Sequence, residues 1–198
     1  NLFNNIWIQP ASGDAGGALG AAMSVYYLMK NNNRNIVSNQ DKMQGSLLGP
    51  KFDNEDIVNQ LNSLEANYTE INNDEIIDIV AKYLFEGKAV GWMNGRSEFG
   101  PRSLGNRSIL ANPLITDMQK NLNLKVKFRE SFRPFAPSIL KEFKDEWFEL
   151  KQDSPYMLLV GDVKKEKLIE LNETQKNISG IEKLKIIRSK IPAVTHID

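Results

Sequence analysis

The chain has 198 residues, no cysteine, one histidine and a formal net charge of zero. The absence of cysteine excludes disulfides, thiolate metal sites and cysteine nucleophiles. A hydrophobic fraction of 41% is enough for one good core, or for one core plus a smaller appendage.

The sequence contains no apolar run near the eighteen or so residues that a membrane span needs, and its start does not have the pattern of a signal peptide. We therefore expect a soluble, cytoplasmic protein with no membrane partner. The balance of 25 acidic and 25 basic residues argues against a protein that binds nucleic acid over much of its surface. A local concentration of positive charge can still hold a nucleotide.

The first 50 residues predict a short strand, a turn, a helix and a polar connection. Residues 6–8 resemble the end of a strand, and residues 12–14 form a turn-like Ser-Gly-Asp. Residues 15–30 have the small and apolar residues of a helix, which three asparagines then end. The polar stretch up to Pro50 is a plausible crossing between domains.

From Asp53 onward the apolar pattern becomes regular. It predicts a helix over 53–64 with Asp53 as its cap and a second helix over 76–84 that stops at Gly87. Residues 89–93 then predict a buried strand. Further helices are expected at 116–124 and 141–148, and short strands at 138–140, 156–160, 185–187 and 193–197.

The strand at 89–93 leads into residues 95–110, which we call the arginine loop. It places Arg96, Arg102 and Arg107 among three glycines and a proline. Glycines let a backbone approach a ligand closely, and guanidinium groups bind phosphate or carboxylate oxygens in pairs. The pattern therefore predicts a site for an anion.

A second basic group follows at residues 125–137, which we call the basic segment. Residues 96–133 contain eight basic and three acidic residues, a local charge of +5 in a chain of zero net charge. If the basic segment is extended, Lys125, Lys127 and Arg129 share one face and Phe128 turns to the core, because side chains alternate along a strand. An ordinary solvated loop remains the alternative for both groups.

Two strings of the sequence resemble a known family. They are GRxEFGPRxLGNRSILA, which begins at Gly95, and MQxxLNxxxKxRExFRPFAP, which begins at Met118. Both are similar to the C-terminal region of the carbamoyltransferases related to nodulation protein NodU and to the antibiotic O-carbamoyltransferases. The resemblance covers nearly the whole chain.

The resemblance implies an α/β fold in two parts. Residues 1–50 would be a strand-helix remnant of an actin-like, Kae1-like domain, with the linker after it. Residues 51–198 would be a YrdC-like domain, truncated at its C-terminal end, with a twisted mixed sheet flanked by helices. The fragment would be unable to complete carbamoyl transfer alone.

The resemblance also implies the reaction and its residues. Carbamoyl phosphate would supply a carbamate that attacks the α-phosphorus of ATP and forms carbamoyl-adenylate, with Mg²⁺ bound to the phosphates. A small-molecule acceptor would bind in the full-length protein. The catalytic positions would be Lys127, Arg129 and Arg133. The ligand-binding positions would be Arg96, Arg102, Asn106, Arg107, Lys125, Ser131, Thr195 and His196.

Two residues have both a structural and a functional interpretation. Asp14 either caps the helix that follows it or, as the resemblance implies, ligates iron or another divalent metal in the parent Kae1-like domain. We expect no metal to be retained here, because one carboxylate holds a transition metal weakly. His196 is either a hydrogen-bonded core residue or a neighbour of the ligand.

The residues also allow a second function. A YrdC-like surface could capture a nucleotide or RNA without chemistry, because aromatic residues beside basic ones suit stacked bases. Release of pyrophosphate that depends on carbamoyl phosphate would distinguish the enzyme from this binding module.

Overall fold

The computed structural model describes residue 3 and residues 6–35 and 40–196. This part of the chain combines helices with small two-stranded sheets, so the predicted α/β class is confirmed. The helices are α1 (Asp14–Ser24), α2 (Asn54–Ser63), α3 (Asn73–Phe85), α4 (Met118–Lys125), α5 (Lys144–Trp147) and α6 (Glu173–Lys176). The strands are β1 (Val90–Met93), β2 (Arg107–Leu110), β3 (Phe148–Glu149) and β4 (Asp162–Val163).

The remaining regular elements are short π-helical and 3₁₀-helical segments of one or two turns. A π-helical turn extends α1, and five 3₁₀ turns lie elsewhere in the described residues. The π turn is Val25–Met29, and the 3₁₀ turns are Gln44–Ser46, Lys141–Phe143, Lys165–Lys167, Gly180–Lys185 and Pro192–Val194.

The predicted helices are confirmed, and their ends have local causes. The backbone N–H of Asp56 donates to the Asp53 carboxylate at 2.9 Å, and the N–H of Asp53 donates back to Asp56 at 3.3 Å. This reciprocal pair begins α2. At the end of α3, Gly87 has a φ of +80°, which glycine adopts without strain. Its N–H donates to the Leu84 carbonyl at 3.1 Å.

The capping role expected for Asp14 is wrong. The cap position of α1 belongs to Gly13, which has no side chain to accept a hydrogen bond, and Asp14 is the first residue of the helix itself. Its exposed carboxylate lies in the first turn, where negative charge is favourable next to the helix dipole.

The strand expected at 89–93 is confirmed as β1, although its side chains alternate between half-buried and exposed and are not all buried. Five of the expected strands are wrong, namely those at 6–8, 138–140, 156–160, 185–187 and 193–197. For the last of these, the structure describes residues 193–196, and they do not form a strand. Residue 197 lies outside the described residues. The predicted mixed sheet is therefore absent from the described part of the chain, where strands occur in two pairs and β3 with β4 is antiparallel.

Local geometry explains why these apolar runs do not form strands. Met157 has a φ of +54°, which breaks an extended backbone in the middle of its run. Pro192 begins a 3₁₀ turn that includes the first residues of the last run. Apolar composition alone cannot distinguish such turns from short strands.

The chain divides into two compact units, each described by itself. The first unit contains Asn1–Thr69, Trp92–Ser108 and Ser154–Leu158, and the second contains Glu70–Gly91, Ile109–Asp153 and Leu159–Asp198. The expected domain boundary after residue 50 stays a prediction.

The first unit is held by two chain segments that run close together. The N–H of Ser97 donates to the Pro50 carbonyl at 2.9 Å, and the N–H of Gly49 donates to the Ser97 carbonyl at 2.9 Å. The approach is so close that a Cβ on Gly49 would lie 2.8 Å from the Ser97 carbonyl oxygen. Ser46, Ser97 and Glu98 are buried there. The start of the arginine loop is thereby fixed to residues 46–50.

The second unit has a small apolar core around α4. Met118, Leu122 and Ala193 are buried together, and Ile115 and Phe135 pack against them. Met118 and Leu122 are four residues apart, so they lie on one face of the helix. This packing holds α4, which ends at the basic segment.

None of the helices in residues 6–35 and 40–196 is both long enough and apolar enough to cross a membrane.

Candidate functional site

The arginine loop in the first unit surrounds a buried carboxylate. Glu98 is 3% exposed, and its Oε1 accepts the backbone N–H groups of Leu104 at 2.7 Å, Asn106 at 2.8 Å and Arg107 at 3.3 Å. Its Oε2 accepts Arg107 Nε–H at 3.1 Å. The loop therefore encloses an anion that the chain itself supplies.

The pKa of Glu98 follows from this arrangement. Burial raises the pKa, because a charged carboxylate is poorly solvated inside the protein. Backbone hydrogen bonds from Leu104 and Asn106, together with the bond from Arg107, outweigh burial and lower the pKa from 4.5 to about 2. Glu98 is therefore ionised at neutral pH, and its charge is satisfied within the loop.

The other predicted residues of the arginine loop also support its shape. Arg107 donates from Nη2 to the Gly100 carbonyl at 3.1 Å. Arg96 donates from Nη1 to the Gly49 carbonyl at 2.7 Å, and Asn106 donates from Nδ2 to the Arg96 carbonyl at 3.0 Å. The side chain of Arg102 is exposed. Three of these four residues thus already hold the loop together.

The basic segment in the second unit is not extended, so its expected face of alternating cations is wrong. Lys125 is the last residue of α4, and the N–H of Lys127 still bonds to the Leu122 carbonyl at 2.9 Å. Phe128 has a φ of +49° and is 85% exposed, where the extended interpretation placed it in the core. The chain keeps turning after the end of α4 and is not extended. Side chains therefore do not alternate between two faces there as they do along a strand.

The side chain of Asn123 in α4 organises this segment. Asn123 is fully buried, and its Nδ2 donates to the Ser131 carbonyl at 3.1 Å and to the Arg133 carbonyl at 2.9 Å. Its Oδ1 accepts Arg129 Nε–H at 2.6 Å, and the Asn123 carbonyl accepts the Arg129 backbone N–H at 3.0 Å. One residue therefore binds the basic segment at four points. We call Asn123, Arg129, Ser131, Arg133 and Phe135 the Asn123 cluster.

Arg129 is held on a second side by an aromatic ring. Its guanidinium carbon lies 5.0 Å from the ring centre of Phe135, within the range of a cation–π contact. Phe135 in turn packs against the core of the second unit. Arg129 is half-buried and forms no ion pair among the described residues, whereas Arg133 is exposed and pairs with Glu130 at 3.0 Å.

His196 is hydrogen-bonded but exposed, so the interpretation of it as a core residue is wrong. Its Nε2 lies 3.2 Å from the Phe135 carbonyl, which can only accept, so Nε2 carries a proton. Its Nδ1 lies 3.5 Å from Gln119 Nε2. Gln119 also donates to the Phe132 and Arg133 carbonyls at 3.0 and 3.1 Å. His196 therefore lies beside the Asn123 cluster.

Thr195 uses its hydroxyl inside the fold. Thr195 Oγ1 donates to the Ile191 carbonyl at 2.9 Å and lies 2.6 Å from Oγ of the buried Ser189. Because its proton is directed to Ile191, Ser189 is the donor in the second contact. The hydroxyl of Thr195 thus has little capacity left for a ligand.

The predicted positions fall into two groups in separate units. Arg96, Arg102, Asn106 and Arg107 belong to the first, and Lys125, Lys127, Arg129, Ser131, Arg133, Thr195 and His196 belong to the second. Asp14 is exposed in α1, and the part of the chain that the structure describes holds no group of three or more metal-ligating side chains. The residues at hand do not fit a metal centre.

Sequence reasoning missed Glu98, Asn123 and Gln119. In the sequence, Glu98 is one of the three acidic residues between positions 96 and 133, and nothing else distinguishes it. A signal for the two amides was available, because Gln119 and Asn123 are four residues apart in a predicted helix. Gln119 directly follows the apolar Met118, and Asn123 directly follows the apolar Leu122. The two amides therefore lie beside the buried face of the helix.

Comparison with known proteins identifies relatives over nearly the whole chain. A Synechocystis protein named Uncharacterized protein sll1178 is 52% identical over 99% of this chain, which matches 32% of that protein. Nodulation protein NolNO of Sinorhizobium fredii is 37% identical and NolO of Bradyrhizobium diazoefficiens 36% identical, each over 100% of the chain.

The chain spans about a third or less of the length of these relatives, since it covers 26% of NolNO and 32% of NolO. The family model described as Carbamoyltransferase C-terminus matches residues 81–198, which include both the arginine loop and the Asn123 cluster. On that match the chain belongs to the carbamoyltransferase C-terminus family.

Proposed function

We propose that this chain is the C-terminal part of an ATP-dependent carbamoyltransferase, in which the region binds ATP and carbamoyl phosphate and forms carbamoyl-adenylate. The supporting observation is that the family match over residues 81–198 contains the buried amide of Asn123, which holds the half-buried Arg129, and that Arg129 forms no direct ion pair within the described residues. The YrdC-like assignment of residues 51–198 and the Kae1-like assignment of residues 1–50 belong to the same proposal.

The proposed reaction needs little covalent chemistry from the protein. Water cleaves carbamoyl phosphate to carbamate and phosphate, and a carbamate oxygen then attacks the α-phosphorus of ATP. The bond from the α-phosphorus to the bridging oxygen breaks, and pyrophosphate leaves with that electron pair. Because two polyanions must meet, rate acceleration depends mainly on charge neutralisation and alignment.

The Asn123 cluster fits that requirement. Arg129 presents a guanidinium whose Nε is bound to Asn123 and whose other nitrogens have no ion-pair partner in residues 40–196. Lys125 and Lys127 are exposed and close to it in the chain, and they add positive charge. In this proposal Arg129 binds a phosphate oxygen pair and Lys127 neutralises charge that develops on the leaving group.

The remaining predicted positions have subsidiary roles. Arg133 must leave Glu130 to bind a phosphate, a small cost for an exposed pair. Ser131 belongs to the cluster through its carbonyl, which accepts from Asn123, and His196 lies beside the cluster at the Phe135 carbonyl. Arg102 supplies the exposed guanidinium of the arginine loop, while Arg96, Asn106 and Arg107 hold that loop in shape. Thr195 supports the turn that precedes His196.

Two metals enter the proposal differently. Mg²⁺ would be bound mainly by the phosphate oxygens of ATP and by water, so the chain needs no dedicated ligand cage for it. Iron or another divalent metal would belong to the Kae1-like part of the full-length protein. The residues described here, Asp14 included, do not provide a site for it.

Carbamoyl-adenylate would then pass its carbamoyl group to the hydroxyl or amine of a small-molecule acceptor, and AMP would leave. The nodulation proteins among the relatives are named for a process and not for an acceptor. The class of acceptor is therefore left open in this proposal.

The test is release of pyrophosphate by the full-length protein with MgATP, in the presence and absence of carbamoyl phosphate. We expect release only when carbamoyl phosphate is present, and its loss in Arg129→Lys. Lys165→Ala is the matched control, because Lys165 is an exposed cation outside the cluster. Nucleotide binding without any pyrophosphate release would support the non-catalytic binding module instead.

A further inference from the structure

The amide of Asn123 has only one orientation that satisfies its neighbours. Its Nδ2 faces the Ser131 and Arg133 carbonyls at 3.1 and 2.9 Å, and these oxygens can only accept. A flipped amide would place an oxygen against two other oxygens in a fully buried position. Oδ1 is therefore directed at Arg129, where it accepts Nε–H at 2.6 Å.

Arg129 is consequently fixed at two points. Asn123 holds the Nε edge of the guanidinium, and the Phe135 ring lies against its face at 5.0 Å. An edge contact and a face contact together determine the plane of the group. Within residues 6–35 and 40–196, Nη1 and Nη2 of Arg129 form no hydrogen bond, and their edge has the fork geometry that binds phosphate in a bidentate manner.

The acceptor that holds Arg129 is neutral, which preserves the charge of the guanidinium. A carboxylate at this position would neutralise Arg129 before any ligand arrived. Among the described residues Arg129 forms no ion pair, in contrast to Arg107 with Glu98 and Arg133 with Glu130. Arg129 is thus oriented without a direct ion pair, although the neighbouring Glu130, which pairs with Arg133, also feels the Arg129 charge, which helps to lower its pKa.

We propose that Asn123 is a positioning residue that orients Arg129, through its buried amide and against Phe135, for bidentate contact with a phosphate group of the nucleotide. This inference rests on the proposed function, because it requires that Arg129 binds that phosphate. Asn123 itself touches no ligand and acts through Arg129.

The experiment measures MgATP affinity by titration calorimetry in the full-length protein, with melting temperatures of every variant. We expect Asn123→Ala to bind at least about tenfold more weakly, as for loss of a charge-assisted hydrogen bond. Asn121→Ala is the matched control. It removes an exposed amide from the same helix, and among the described residues that amide forms no hydrogen bond with Arg129.

A double mutant separates positioning from simple support of the loop. If Asn123 acts through Arg129, Asn123→Ala combined with Arg129→Lys binds within about twofold of Arg129→Lys alone. A purely structural role would lower the melting temperature and give additive losses of affinity. Additive losses would overturn the inference.

A second variant covers the case in which Asn123→Ala does not fold. Phe135→Leu keeps an apolar side chain against the core but removes the ring that lies against the face of the Arg129 guanidinium. We expect binding at least about threefold weaker for Phe135→Leu, because only the Asn123 contact then holds the plane of Arg129. Wild-type affinity in Phe135→Leu would overturn the inference.

The failures of the two proposals are distinguishable. If the wild-type protein binds MgATP and the Asn123→Ala and Phe135→Leu variants bind as tightly as the Asn121→Ala control, only the positioning role is overturned. If the folded wild-type protein binds no MgATP at millimolar concentration, the proposed nucleotide site is overturned, and the positioning role with it.

Discussion

Arg107 reaches the carboxylate of Glu98 twice, from its side chain and from its backbone. Its Nε–H donates to Oε2 at 3.1 Å, and its own N–H donates to Oε1 at 3.3 Å. A buried acid near the start of the arginine loop thus fixes a residue nine positions later. The glycine and arginine pattern of the loop serves this internal ion pair as well as any ligand.

Removal of this carboxylate should destabilise the first unit. We expect Glu98→Gln to lower the free energy of unfolding by about 1.5 to 3 kcal/mol, because a charged acceptor for several N–H groups is lost and an amide donor faces Arg107. Urea denaturation measures the change. Glu130→Gln is the control, since Glu130 is exposed in its pair with Arg133, and it should leave the curve almost unchanged.

The low pKa of Glu98 predicts acid sensitivity with a definite sign. The folded value of about 2 lies below the ordinary 4.5, so the folded state favours the ionised form. The stabilisation is complete above about pH 5 and is lost as the pH falls toward 2. Over that range we expect a loss of about 3 kcal/mol from this group. Between pH 6 and 2, the free energy of unfolding should fall less steeply with decreasing pH for Glu98→Gln than for the wild-type protein. Equal slopes for the two proteins would contradict the prediction.

The sequence predicted those parts of the fold that depend on neighbours in the chain. The Asp53 cap and the stop at Gly87 are local features, and the helices that they begin and end are confirmed, as is the helix expected over 116–124. The predictions of strands at 138–140 and 156–160 are wrong, because a strand must pair with a segment that is distant in the sequence. The composition of a run does not identify that segment. At Met157 a positive φ also interrupts the run.

The candidate site shows the same division. The residue types of the arginine loop and the basic segment were visible in the sequence, but their partners were not. Nothing in the local pattern indicated that Glu98 would accept from Leu104, Asn106 and Arg107. The turn at Phe128, where φ is positive, likewise lies between Asn123 in α4 and Arg129, which are joined by a hydrogen bond. The local sequence did not indicate that bond. The roles of these residues in ligand binding stay predictions.

Arg129 should be sensitive even to replacement by another cation. Arg129→Lys keeps the charge but loses the Nε contact to Asn123 and the planar stack on Phe135. We expect nucleotide affinity to fall about ten- to a hundredfold. Calorimetric titration with MgATP measures this, with Arg133→Lys and Lys165→Ala alongside. Equal and negligible losses in all three would remove the support for a phosphate site in the basic segment.

Two glycines of the first unit should respond in opposite directions to replacement by alanine. Gly100 has a φ of +98°, and a Cβ there would lie 2.6 Å from the Ala11 Cβ. Gly17 lies inside α1, and its Cβ would meet nothing within 4 Å. Gly100→Ala combines backbone strain with a clash and should lower the free energy of unfolding by about 1 to 3 kcal/mol. Gly17→Ala should raise it by about 0.5 to 1 kcal/mol, because alanine restricts the unfolded chain and favours a helix.

Thermal and urea denaturation of both variants measure the difference. The comparison is informative because the two substitutions add the same methyl group, so their difference reports only the local conformation and space. A stabilising Gly100→Ala would mean that the arginine loop does not approach Ala11 as closely as the structure has it. A destabilising Gly17→Ala would mean that the exposed face of α1 around Gly17 is covered in the folded protein, because only a neighbour in contact could oppose the gain in helix propensity.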